Sequence, residues 1–177
     1  FWKHFSVFEI VKTREHSIMA FLAIVVGLAG GVGAVGFRYL INFVQTLGYG
    51  SADELLDVVQ NIPWVVRIIV PALGGLLVGL LVYFFAREAK GHGVPEVMEA
   101  VALKGGVIRK RLVVVKSLAS AICIGSGGSV GREGPIVQIG SAIGSSVGQF
   151  LNVSPDRMRT LVGCGAAAGI AATFNAP

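Results

Sequence analysis

Charge-free apolar runs divide this chain. Ser17 to Phe37 gives 21 residues without a charge, and Ile68 to Ala86 gives 19 between Arg67 and Arg87. Ser117 to Gly131 adds 15, Gly134 to Pro155 adds 22 and Thr160 to Pro177 adds 18. A helix needs about 20 residues to cross a hydrocarbon core of about 30 Å. The first, second and fourth runs are long enough, the third is short, and the fifth is cut by the end of the chain. The pattern predicts an all-α membrane protein with spans near 17–47 and 63–86. A half-helix from Pro95, a short helix over 110–125, a helix from Pro135 to about 151 and another from Pro155 past 170 follow. Residues 1–16 read as a polar N-terminal segment, with the membrane domain over 17–177.

Loop charges orient the first two spans. Residues 1–16 carry Lys3, Lys12 and Arg14, and residues 87–116 carry seven Lys or Arg. Residues 48–62 carry Asp53, Glu54 and Asp57 and no basic residue. Positive residues gather on the cytoplasmic side, so the N-terminus and the 87–116 segment are expected inside and the acidic loop outside. Trp64 would sit near the outer interface, and Tyr83, Phe84 and Phe85 near the inner one. A multi-pass protein of the plasma or inner membrane is expected.

Composition removes the other classes. At 54% hydrophobic and 14% charged, with 25 glycines, the chain departs from a soluble domain, which is about 25% charged. The net charge of +5 lies between apolar runs rather than on a polar, aromatic-rich surface, so no nucleic-acid partner is expected. Cys123 and Cys164 sit in apolar surroundings with no metal-ligand spacing. Neither a metal nor a cofactor is expected. Glycines four apart (Gly27 and Gly31; Gly75 and Gly79; Gly140, Gly144 and Gly148) are expected to let helix backbones approach closely.

Two motifs imitate nucleotide sites. Gly31-Val32-Gly33-Ala34-Val35-Gly36 fits GxGxxG and Asp53 follows 20 residues after Gly33, but the glycines lie inside a membrane-length run and no second strand follows. Gly125-Ser126-Gly127-Gly128-Ser129 lacks the Gly-Lys-Ser/Thr ending of a phosphate loop.

The chemistry lies in a form that occurs twice, G-x-x-x-P. Gly91-His92-Gly93-Val94-Pro95 and Gly131-Arg132-Glu133-Gly134-Pro135 are forty residues apart. Proline favours the first helical position, where its missing N–H costs nothing, and glycine allows close approach to the backbone. Both segments therefore read as helix starts with bare amides. Such an end carries unpaired N–H groups and roughly half a positive charge, and it attracts anions. Fifteen helical residues beyond Lys116 rise only about 22 Å, so Arg132 and Glu133 are expected within the membrane or near its outer edge. An ionisable group at that depth is a functional candidate. The Glu133 carboxylate can compete with an anion for the same amides, closing the path when seated and opening it when displaced or protonated.

These residues resemble the CLC family of chloride channels and chloride/proton antiporters. Residues 131–135 are similar to its GREGP motif, with Ile136-Val137-Gln138-Ile139-Gly140 as flank. Gly163 to Pro177 resembles the stretch that ends in Asn-Ala-Pro. Gly91 to Glu96 reads GHGVPE where the family has GSGIPE. The resemblance covers most of residues 90–177, while residues 1–89 match in layout only. It implies a fold of inverted helical repeats with broken helices, of which this chain is the first half, in a homodimer with an anion path in each subunit. It implies chloride, with protons in exchangers, as substrate, and no enzymatic reaction. Carried over, Glu133 is the gating and proton-transfer glutamate. Anion binding falls to His92, Gly93 and Val94, and to the amides of Arg132, Glu133, Gly134, Ile136 and Val137. His92 stands in place of a serine, which puts selectivity among chloride, nitrate and fluoride in question.

Overall fold

A computed structural model describes residues 2–51, 62–85 and 93–176, with side chains from residue 17 onward. Six helices account for nearly all of it: α1 (Trp2–Tyr49), α2 (Trp64–Phe85), α3 (Gly93–Leu103), α4 (Lys110–Gly125), α5 (Glu133–Phe150) and α6 (Pro155–Phe174). Among the described residues there is no strand.

The helix bounds follow from local chemistry. The first glycine of the chain is Gly27 and the first proline Pro63, so nothing breaks α1 between Trp2 and its apolar part. The polar N-terminal segment and the first span are one continuous helix. The acidic loop residues Asp53, Glu54 and Asp57 lie outside the described residues, as do Arg87 and Lys90. Helix α4 ends where Ser126, Gly127 and Gly128 turn their amides back to the carbonyls of Ile122, Ile124 and Cys123. Gly127 has φ +92° there, a conformation that favours glycine. Helix α6 starts with proline in its first turn and ends at Asn175 in the left-handed region, φ 51°, a common helix stop.

Helices α1 and α2 are the two long and apolar enough to cross a bilayer, over Ser17–Tyr49 and Trp64–Phe85. Only 17% and 6% of their most apolar windows are buried. The core helix of a soluble protein would be mostly covered, so these surfaces suit lipid or further protein. Trp64 and the edge-to-face pair Tyr83–Phe84, ring centroids 5.2 Å apart, mark the two ends of α2.

The tightest packing is between α5 and α6. A methyl group on Gly140 would collide with the Gly165 carbonyl, and one on Gly165 with the Gly140 carbonyl. Gly144 lies equally close to the Leu161 carbonyl, and Gly148 to the Met158 sulfur. The four-residue spacing in α5 thus serves close backbone approach. The same spacing at Gly27 and Gly31, and at Gly75 and Gly79, does not: a methyl at any of these would meet nothing within 4 Å. In α1 and α2 the contact positions are instead Gly30 against Ala168, Gly33 against Ile139 and Ile143, and Gly74 against Ser126. The open glycines lie on faces turned away from the other described helices.

Two apolar clusters join the elements. Val97, Ala100, Ile108, Val113, Ala142 and Val162 bring α3 to α6 together, and Ala34, Phe37, Ala121 and Ile136 anchor α1 to α4 and α5. Polar bonds fix each end of the bundle. At one end the Tyr49 hydroxyl donates to the Ser126 carbonyl at 2.8 Å. The Gly125–Ser129 stretch is therefore the turn after α4, packed on Val44, Tyr49 and Gly74, with its glycines explained by packing. At the other end the buried Ser145 hydroxyl donates to the Gly106 carbonyl at 2.7 Å and accepts from the Ile108 amide at 3.0 Å.

Candidate functional site

Both G-x-x-x-P segments start helices, and in the same register. Helix α3 begins at Gly93 and α5 at Glu133, so Pro95 and Pro135 each occupy the third helical position rather than the first. The reason proline is tolerated is unchanged, because third-position amides also lack an intrahelical partner.

The register decides which amides are free. In α5 the Ile136 amide already donates to the Arg132 carbonyl at 3.3 Å, and Pro135 has none to give. Position in the helix leaves Arg132, Glu133 and Gly134 as the unpaired donors. Ile136 and Val137 are buried at 4% and 7% exposure, one turn behind that end. In α3, Gly93 and Val94 precede Pro95. His92 lies outside the described residues.

The two ends meet. A methyl on Gly93 would lie 2.9 Å from the Gly134 carbonyl oxygen, and one on Gly134 would lie 3.7 Å from the Gly93 nitrogen. Only glycine at residue 93 allows this approach. Both helices then run toward the Ser145–Gly106 junction. From Gly93 to Leu103 is about 15 Å and from Glu133 to Ser145 about 18 Å, at about 1.5 Å per residue. Helix ends of like sign are thus juxtaposed about half a membrane thickness from the Lys104–Arg111 loop.

The surroundings are basic on one side and polar beneath. Arg38 and Arg132 line a small open cavity of about 70 Å³ at the start of α5, together with Phe37, Ile136, Ala172 and Thr173. The Glu133 side chain is exposed and folds back so that a carboxylate oxygen covers the α-carbon of Gly131. Beneath the crossing, Gln138 of α5 donates to Glu96 of α3 at 2.8 Å, and Lys116 of α4 bonds the same carboxylate oxygen at 3.2 Å. Sequence reasoning passed over this trio, whose members lie 20 and 42 residues from Glu96 on separate helices. The available signal was a glutamine amid the apolar run 134–155 and a glutamate one residue after Pro95.

Comparison with known proteins identifies the family. Residues 74–177 match the family described as Voltage gated chloride channel. A ClcB-like chloride channel protein of Ralstonia nicotianae is 38% identical over 163 residues, 90% of this chain and 38% of that protein. The H(+)/Cl(-) exchange transporter ClcA of Klebsiella pneumoniae is 37% identical over 169 residues, covering 95% of this chain and 36% of the relative. The exchange transporter of the same name from Salmonella schwarzengrund is 36% identical over 158 residues, 89% and 33%. The chain therefore spans little more than a third of the length of these curated relatives.

Proposed function

The chain belongs to the voltage gated chloride channel family, and from that premise we propose that it is most of the first half of a membrane-embedded chloride transporter. In this reading residues 17–177 form one of two inverted repeats, residues 1–16 lie in the cytoplasm, and two copies of the full-length protein assemble as a dimer. The observation that carries the proposal is the contact of Gly93 with Gly134, which brings two helix N-termini to one point. Each contributes roughly half a positive charge, and together their free amides suit a monovalent anion. Helix ends of this kind within a membrane are tolerated where they line a protein-enclosed path, and broken helices aimed at an anionic substrate are a recurring transporter device.

Glu133 is the gate in this reading. From its position over Gly131 the carboxylate can swing onto the amides at the start of its own helix, where it would exclude an anion. Protonation removes the charge that competes for those amides, so the same group can carry a proton across the gate. Chloride/proton exchange is the finer form of the proposal, supported by relatives named as exchange transporters. The ClcB-like relative, named for a channel, supports a passive form as the second reading. Among the anion contacts, Gly93, Val94, Arg132, Glu133 and Gly134 act through backbone amides. Ile136, whose amide is paired with the Arg132 carbonyl, and Val137 lie one turn behind them, and His92 bears on selectivity.

The test is reconstitution of the full-length protein in liposomes with chloride efflux and lumenal pH recorded together. Chloride flux that drives protons uphill supports the exchanger, and Glu133→Gln should abolish the proton movement while chloride still flows. Chloride flux without proton movement supports the passive form. No anion flux from folded protein overturns the proposal.

A further inference from the structure

The polar trio beneath the helix crossing has a property that packing alone does not require. Gln138 is 1% exposed. Its amide nitrogen is held by the Glu96 carboxylate, whose same oxygen is held by Lys116. The opposite amide orientation would set two acceptors face to face, so Glu96 fixes which end of the carboxamide points away from it. That end is the carbonyl oxygen, Oε1. It is buried and, among the described residues, has no hydrogen-bond partner. It lies 2.8 Å from where a methyl on Gly93 would be, against the first residue of α3. Buried polar atoms are normally paired, so an unpaired acceptor aimed at a helix N-terminus is unusual.

Resting on the proposed transport function, we infer that Gln138 is a positioning residue of the anion site and sets its preference among anions. It acts through Gly93 in two ways. Its side chain, tied to α3 by Glu96, whose carboxylate Lys116 in turn ties to α4, fixes how far Gly93 stands from Gly134, and so the width available between the free amides. Its carbonyl also sets the negative end of a fixed dipole against Gly93, at the N-terminal end of α3, which offsets part of the attraction that α3 exerts on an anion. A narrow crossing favours a small spherical ion such as chloride over a planar one such as nitrate. Releasing the carboxamide widens the crossing and removes the opposing dipole, so the preference should shift toward nitrate.

The experiment measures nitrate and chloride fluxes of the full-length protein in liposomes, for wild type, Gln138→Leu, Glu96→Gln and the double variant. Folded protein is quantified by size-exclusion chromatography. Each single variant should raise the nitrate-to-chloride ratio by roughly fivefold, the scale of one net hydrogen bond. The double variant should equal the larger single change, because both cut one coupled unit. Ratios that stay at the wild-type value while flux falls with the amount of folded protein would reduce the trio to packing and overturn the inference, as would single changes that add. Should Gln138→Leu fail to fold, Glu96→Asp shortens the tether by one methylene and keeps the charge, and an unchanged ratio there is equally fatal. A wild-type protein that carries no anion removes the transport reading and this inference with it. A transporting protein with unmoved ratios removes this inference alone.

Discussion

Replacing Gly93 by alanine tests whether the two helix starts act as one site. The added methyl would lie 2.8 Å from the Gln138 carbonyl oxygen and 2.9 Å from that of Gly134, where ordinary contact begins at 3.4 Å. Neither neighbour can yield, since Gln138 is tied to Glu96 and Gly134 is helix backbone. The start of α3 must retreat by about half an ångström, at an overpacking cost of about 1–3 kcal/mol. Half a charge and a chloride 4 Å apart attract by about 2 kcal/mol at an effective dielectric of about 20, and the retreat removes only about 0.2 kcal/mol of that. The direct bond is more sensitive: an N–H donor moved from about 3.0 to 3.5 Å leaves the useful range, and a bond to a charged group is worth about 1.5–3 kcal/mol. Loss of the bond therefore dominates. Gly93→Ala should raise the chloride concentration for half-maximal efflux by about tenfold or more, in protein that remains folded by thermal unfolding in detergent. A change under twofold would mean that α3 acts only through its dipole. No change at all would refute the claim that α3 and α5 share an anion.

Three other predictions follow from the packing and the gate. Gly140→Val drives a branched side chain into the Gly165 carbonyl and should leave little monodisperse protein on size-exclusion chromatography, whereas Gly31→Ala, which meets nothing within 4 Å, should behave as wild type. Ser145→Ala leaves the Ile108 amide and the Gly106 carbonyl without their partner and should cost about 1–3 kcal/mol, read as a lowered unfolding temperature with anion preference unchanged. Glu133→Ala should give chloride efflux that no longer varies with external pH, and a retained pH profile would remove Glu133 from the gate.

The helix bounds were largely legible because charge and proline mark them. The expected 110–125 helix is Lys110–Gly125, and the expected start at Pro155 is observed. The prolines of the paired motifs signalled helix starts but not the register, since any of the first three positions tolerates a missing amide. Glycine spacing marked the α5 face correctly and misled in α1 and α2. A spacing of four identifies a face that could pack, while the neighbours decide whether it does. The Glu96–Lys116–Gln138 trio was hidden because each member is ordinary in its own segment and only the fold brings three helices to one point.

The central claim, that an anion sits where α3 and α5 begin, is most directly tested by anomalous scattering from crystals of the full-length protein grown in bromide. A bromide peak within hydrogen-bond distance of the Gly93 or Val94 amide and of the Glu133 or Gly134 amide is the predicted result. Bromide found elsewhere along the path, with that crossing empty in a protein that transports chloride, would contradict it.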